Sequence, residues 1–233
     1  MSLGHSPSIV TSGLVLCLDA GNTRSYPGSG TAWTDLSGNA NNGTLTNGPT
    51  FNSANGGSIV VDGIDDYIAV NNSASLDVGG VGNSLSVCYW IYSLVASGYD
   101  AHVGKSPGSN TGWIANLNWS FGVGGLPQLR WWLNNTVTVT YNTTRPYLNT
   151  WRFIAMSVNK SNNFGYIYED GVLVASGSVG AVNLSNSAAL WIGNDAFGST
   201  ANARFANVTV YNRALSGDEI AQNFNALRGR YGL

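Results

Sequence analysis

WRFIAMSVNKSNNFGYIYEDGVLVASG, residues 151–177, decides the fold class. It holds three runs, WRFIAMSV (151–158), GYIY (165–168) and VLVASG (172–177), parted by NKSNN and EDG. Short runs rich in Val, Ile, Tyr and Phe, bounded by Asn, Asp and Gly, read as strands joined by tight turns. Here they predict an antiparallel meander. The same punctuation recurs in both directions. GLVLCLD (13–19), SIVV (58–61) and YIAV (67–70) lie before it, and LWIGN (190–194) and RFANVTVY (204–211) after it. Asp-Gly in DGIDD, between SIVV and YIAV, predicts a hairpin. SLSVCYWIYS (84–93) sets Leu85, Val87, Tyr89 and Ile91 against Ser86, Cys88, Trp90 and Tyr92. Both faces are partly apolar, which predicts a central strand.

Helical period occurs once. Ser216 and Glu219 form an S-x-x-E capping box that opens GDEIAQNFNAL. Ile220, Phe224 and Leu227 then make one apolar stripe, and Gly229 and Gly232 mark the end. Many strands with one short helix predict an all-β fold, a two-sheet antiparallel jelly-roll sandwich. Neither an internal repeat nor a linker divides the chain. A single domain over 1–233 is expected, with an N-terminal extension (1–12) and a helix at 216–228. Residues 22–57, dense in Gly and Asn, are expected to be long loops over one edge.

Composition narrows the function. Hydrophobic content is 43%, enough for a sizeable core, whereas charged residues make up 9%, against about 25% in ordinary globular proteins. Asn, Ser, Thr and Gly must supply the solubility. The net charge of -2 and scattered Arg residues give no basic footprint for nucleic acid. No apolar run approaches the roughly 18 residues of a membrane span. MSLGHSPSIVTSG lacks a basic region followed by an apolar one, so no signal peptide is expected. An extracellular role would then need another route from the cytoplasm, such as release of an assembled particle. Cys17 and Cys88 lie mid-strand among apolar residues and read as buried free thiols, with a disulfide open only to neighbouring strands.

LRWWLNNTVTVTY (129–141) sets two tryptophans side by side. Strand neighbours point to opposite faces, so only one of them can enter the core. A two-residue loop, Asn134-Asn135, would mix apolar and polar groups on both faces. A three-residue loop, Asn134-Asn135-Thr136, pairs Leu133 with Val137, Trp131 with Val139 and Leu129 with Tyr141. One face is then wholly apolar, and the other carries Arg130, Trp132, Thr138 and Thr140. The second register predicts Trp131 inside and Trp132 outside.

The segments GSIVVDGIDDYIAV, WRFIAMSVNKSNNFGYIYEDGVLVASG, LWIGN and ANVTVYNRALSGDEIAQNFNALRGRYG, in that order, resemble the laminin-G-like branch of the concanavalin A-like lectin/glucanase superfamily. The opening GHSPSIVTSGLVLCLDAGNTRSYPGSGTAWTDLSGNANNGTL is similar to laminin-G-like proteins encoded by tailed bacteriophages. The resemblance implies a jelly roll with one concave sheet, and a home on a virion. Fold alone does not fix function on this architecture.

Some relatives hydrolyse glycosides, which takes two carboxylates flanking the scissile bond. Here the only glutamates are Glu169, in the EDG turn, and Glu219, in the helix cap. Other relatives are lyases with a Tyr or His base, and His102, beside Lys105 and Tyr99, is the one realistic base. Laminin-G-like relatives often bind Ca²⁺, and Asp62, Asp65 and Asp66 crowd one turn with hard oxygen donors. Turn chemistry accounts for the same residues. Asp35 and Asn39 add further candidate donors. Trp113, Trp119, Trp131 and Trp132, interleaved with Asn116, Asn118, Gln128 and Arg130, suit sugar rings. The expected ligand set is Trp132, Arg130, Trp113, Trp119, Asn118 and His102, with no catalytic residue. The leading expectation is a non-catalytic phage surface module, capsid decoration or fibre, that contacts glycans. Its alternatives are a structural cement protein binding other virion proteins, and a lyase or hydrolase. Homo-oligomerisation stays open.

Overall fold

The computed structural model describes residues 7–96, 98–108, 111–120, 122–134 and 136–233, the side chains of residues 137 and 138 excepted. Two antiparallel sheets of eight strands each face one another, and strands are numbered along the chain. In the first sheet the order is β14 (Val172–Ser178), β13 (Phe164–Glu169), β12 (Trp151–Asn159), β7 (Leu85–Ser93), β16 (Asn202–Tyr211), β5 (Ser58–Asp62) and β4 (Thr50–Asn52). Strand β1 (Leu14–Asp19) also pairs with β16. In the second sheet the order is β11 (Thr136–Asn142), β10 (Gln128–Leu133), β9 (Trp113–Asn118), β8 (Tyr99–Lys105), β15 (Leu190–Ile192), β6 (Tyr67–Val70), β3 (Gly43–Thr46) and β2 (Ala32–Trp33).

The meander of 151–177 forms as expected, with β12 on β13 and β13 on β14. Asp170 and Gly171 in its EDG turn both take positive φ, 50° and 81°, as a two-residue hairpin requires. β7 is central, and its two faces serve different cores. Leu85, Val87, Tyr89 and Ile91 enter the core between the sheets. Cys88 and Trp90 point outward into a second apolar cluster. The helix α1 (Gly217–Leu227) roofs that cluster. Ser216 and Glu219 cap each other's backbone as the S-x-x-E spacing demands, and Ile220 and Leu227 are buried. Phe224 and Tyr231 stack on Trp90 with centroids 5.7 and 4.1 Å away. The N-terminal segment docks beside the helix, where the Val10 N–H donates to Asn223 Oδ1 at 2.8 Å. One outer face is therefore roofed by helix, whereas the outer face of the second sheet carries half-exposed side chains of β10.

Two expectations fail here. DGIDD is a turn, with Gly63 at φ 77°, but not a hairpin. β5 belongs to the first sheet and β6 to the second, so the turn carries the chain across the sandwich. Asp-Gly sets the local bend; β5 pairs with β16 and β4, and β6 with β3 and β15, and these partners place each arm in its sheet. Residues 22–57 hold three short strands, β2, β3 and β4, with Trp33 wholly buried. Their brevity kept any alternation below recognition.

Both thiols are free and buried. Cys17 and Cys88 each pair with Thr209, from opposite sides of β16. Two strand spacings, roughly 9–10 Å, exceed the reach of a disulfide. Burial pushes both thiols up to about 12.

Candidate functional site

The β10 strand alternates without a break: Leu129, Trp131 and Leu133 are buried, and Gln128, Arg130 and Trp132 half-exposed. Trp131 packs inward against Trp113, centroids 5.7 Å apart, and Trp132 points outward. The loop that achieves this differs from the expected one. Leu133 pairs with Thr136, yet Trp131 pairs with Val139 and Leu129 with Tyr141. A bulge between Trp131 and Trp132 reconciles them, with Trp132 opposite Val137 and Thr138 left over. A two-residue loop plus one extra residue restores the register that keeps the apolar face whole. Asn134 takes φ 48°, the left-handed conformation Asn tolerates. The side chains of Val137 and Thr138 lie outside the described residues.

On the outer face, Arg130 pairs across to Asn116 and Trp132 to Ile114. The loop between β15 and β16 folds over this surface. Gly193 donates to the carbonyl of His102 and accepts from Ala201, both at 2.9 Å, which pins the base of the loop. Asp195 Oδ1 accepts the backbone N–H groups of Phe197 and Ser199, each at 2.9 Å, and so shapes its tip. The Phe197 ring meets Trp132 edge-on at 5.0 Å. The Arg130 guanidinium sits over the Tyr99 ring at 5.1 Å. Tyr99, Asn116, Arg130, Trp132, Asp195, Phe197 and Ser199 thus enclose an open cavity of about 260 Å³. Aromatic walls with a few convergent polar groups are the usual make-up of a small-ligand site.

Of the six expected ligand residues, Trp132 and Arg130 meet at this cavity. The other four do not. Trp113 is core, against Trp131. Asn118 is fully buried. Trp119 turns its indole N–H to Asp100 Oδ2 at 2.6 Å and packs on the core. His102 is 0% exposed, because a bulge between Ala101 and Val103 breaks the alternation of β8. Its Nδ1 meets the Tyr89 hydroxyl at 3.0 Å, and burial pulls its pKa down to about 3. A neutral, enclosed imidazole has no access to a substrate. Asp195, Phe197 and Ser199 were missed, since only the fold brings their loop over β10. Tyr99 and Asn116 carried a weak signal through their aromatic and amide neighbours in sequence.

Each glutamate has an arginine neighbour, but the buried Glu169 Oε1 accepts no hydrogen bond from its own, whereas Glu219 does. Arg152 Nε lies 3.8 Å from Glu169. Arg213 pairs with Glu219 at 2.6 Å, and hydrogen bonding to Arg213 lowers the Glu219 pKa to about 2. Asp100 is buried, and desolvation lifts its pKa to about 7 against the opposing Trp119 hydrogen bond. Asp62, Asp65 and Asp66 offer oxygens within 4.8 Å of one another. Asp62 Oδ1 already accepts the Ile64 N–H at 2.8 Å. Burial, then the charge of Asp62, raises the Asp66 pKa. Three convergent carboxylates fit a hard cation in donor type. Thr200 ties this turn to the cavity loop by donating to the Gly63 carbonyl at 2.7 Å.

A family model described as concanavalin A-like lectin/glucanases superfamily, of laminin-G type, matches residues 62–221. No curated protein matches the sequence. Among solved structures, the binding domain of botulinum neurotoxin serotype G superposes with a TM-score of 0.70 at 15% identity. That match covers 91% of this chain and 50% of the toxin domain, so the chain spans half of its length. Domain 4 of AbnA, an extracellular arabinanase from Geobacillus stearothermophilus in complex with arabinotriose, gives 0.67 at 17% identity, covering 91% of this chain and 98% of that one. Trypanosoma rangeli sialidase with the inhibitor DANA gives 0.67 at 15% identity, covering 95% and 35%. Such identities establish a shared fold.

Proposed function

The chain belongs to the concanavalin A-like lectin/glucanase superfamily, and from that membership and the cavity on β10 we propose that it is a glycan-binding module, not an enzyme. The observation that carries the reading is outward Trp132, edge-on to Phe197 and next to Arg130 in an open cavity. Sugar rings present apolar C–H faces and hydroxyl edges; an indole supplies contact area, and amide, guanidinium and carboxylate groups align hydrogen bonds. The arabinotriose complex of a fold relative that this chain spans almost end to end supports the same reading. Glu219, hydrogen-bonded to Arg213 in the helix cap, supports a binding role over hydrolysis.

The setting we infer is the surface of a phage particle, as capsid decoration or fibre, on the strength of the opening segment. We also assign Asp62, Asp65 and Asp66 as a Ca²⁺ site that would neutralise three like charges and steady the turn tied to the cavity loop. A glycan array with the intact chain and Trp132→Ala tests the binding. Signals that the variant loses support the reading, and equal absence of binding by both removes it. A particle map tests the setting.

A second reading, a subunit-contact module, rests on edge strand β14, where Val172 and Leu173 are exposed. It predicts a dimer or higher oligomer by sedimentation that Leu173→Lys dissociates.

A further inference from the structure

Asn116 is the group in the cavity that the fold leaves unexplained. It is 6% exposed, lines the cavity, and its Oδ1 has no hydrogen-bond partner among the described residues. Buried acceptors are nearly always satisfied, so an orphan facing a cavity calls for a donor from outside. A half-turn about the last side-chain torsion exchanges Oδ1 and Nδ2, so either end of the amide can be turned to a ligand.

Its surroundings limit what that ligand is. Arg130 and Asp195 are the charged side chains among the lining residues, one of each sign. The cavity therefore carries no net charge. An anionic sugar would have to lose water beside the Asp195 carboxylate, which offsets what Arg130 returns. The remaining walls are rings, Trp132, Phe197 and Tyr99, suited to an uncharged apolar face. A volume near 260 Å³ lies below the roughly 300–1,000 Å³ usual for drug-sized ligands, and so fits a single ring.

We propose that the cavity takes one uncharged sugar ring, and that Asn116 is its specificity-determining residue, accepting the O–H of one ring hydroxyl. The proposal rests on the reading of this cavity as a glycan site. Removing that hydroxyl from the ligand leaves the amide oxygen without a partner in the complex, where the bound ring displaces water. Affinity should drop by about 5- to 100-fold. A site built to bond a hydroxyl discriminates strongly against the analogue that lacks it.

The test is calorimetric titration of the full chain, Asn116→Ala and Trp132→Ala. The probes are D-galactose, D-glucose, D-mannose and L-arabinose, D-glucuronate and N-acetylneuraminate as acidic arms, and monodeoxy forms of the best binder. A neutral sugar should bind best, and one deoxy form should lose about 10-fold on the parent protein. Asn116→Ala should bind the parent sugar and that deoxy form equally, a coupling that a merely structural residue would not show. Tighter binding of an acidic sugar, deoxy forms that all bind like the parent sugar, or discrimination that survives Asn116→Ala overturns the proposal. The deoxy series on the parent protein decides the matter even if the variant fails to fold. If no sugar binds, or Trp132→Ala binds undiminished, the glycan reading of the cavity falls and the proposal with it.

Discussion

Truncating the two neighbouring tryptophans in turn should separate stability from binding. Trp131 is wholly buried and touches both sheets. It meets Trp113 beside it, and its Cδ1 lies 3.3 Å from where a Cβ on Gly165 of β13 would stand. Trp131→Ala removes an indole from between the sheets and leaves a cavity that such a close-packed core cannot fully collapse. That costs about 3–5 kcal/mol. At a urea m-value of roughly 2 kcal/mol/M the midpoint should fall by about 1.5–2.5 M, and Tm by about 6–20 °C for a chain of this size. Trp132 is half-exposed and loses its edge-on contact with Phe197, about 0.5–1.5 kcal/mol, with part of its burial. Trp132→Ala should shift the midpoint by under about 1 M. Urea unfolding followed by far-UV circular dichroism measures both. Equal midpoints, or a larger loss for Trp132→Ala, would refute the assignment of inner and outer faces.

Four further outcomes are expected. Asp100 ionises near pH 4 in the unfolded chain but near 7 when folded, so the native state holds the extra proton in between and stability falls as pH rises from about 4 to 7. Asp100→Asn should flatten that slope in unfolding curves, with its gain largest above pH 7 and absent below pH 4. A Cβ at Gly165 would stand 2.8 Å from Val179 and 2.9 Å from Val139, so Gly165→Ala should cost about 1–3 kcal/mol by overpacking, read as a lower Tm. Ser216→Ala removes the cap of α1 and should cost about 1 kcal/mol, or about 2–4 °C in Tm. Calcium at a hundredfold excess over its Kd should add about 2.7 kcal/mol, a rise of about 5–10 °C that Asp66→Asn abolishes; a Tm indifferent to calcium removes that site.

The sandwich class was legible because its signals are local and repeated. Turn residues at 159–163 and 169–171 bound runs of strand period, and Ser216 with Glu219 marks the helix start to the residue. Trp131 and Trp132 could be sorted because a mixed face would bury polar groups. The loop length that sorted them was legible only in outcome, since a bulge gave the same faces through a different count. His102 was misplaced for a related reason: one extra residue in β8 turns a side chain from outer face to core, and nothing in YDAHVGK announces it.

By itself, then, the sequence determined what depends on neighbours along the chain: strand and helix type, the turns, the cap, and which tryptophan of a pair leaves the core. Tertiary structure decided what depends on partners distant in sequence. It sent the two arms of DGIDD to different sheets, because sheet membership follows the strands each arm pairs with rather than the turn between them. It also laid Asp195, Phe197 and Ser199, more than sixty residues beyond Trp132, across that indole. A cavity is a relation between surfaces that meet only after folding, and periodicity along one strand carries no record of the wall another loop will provide.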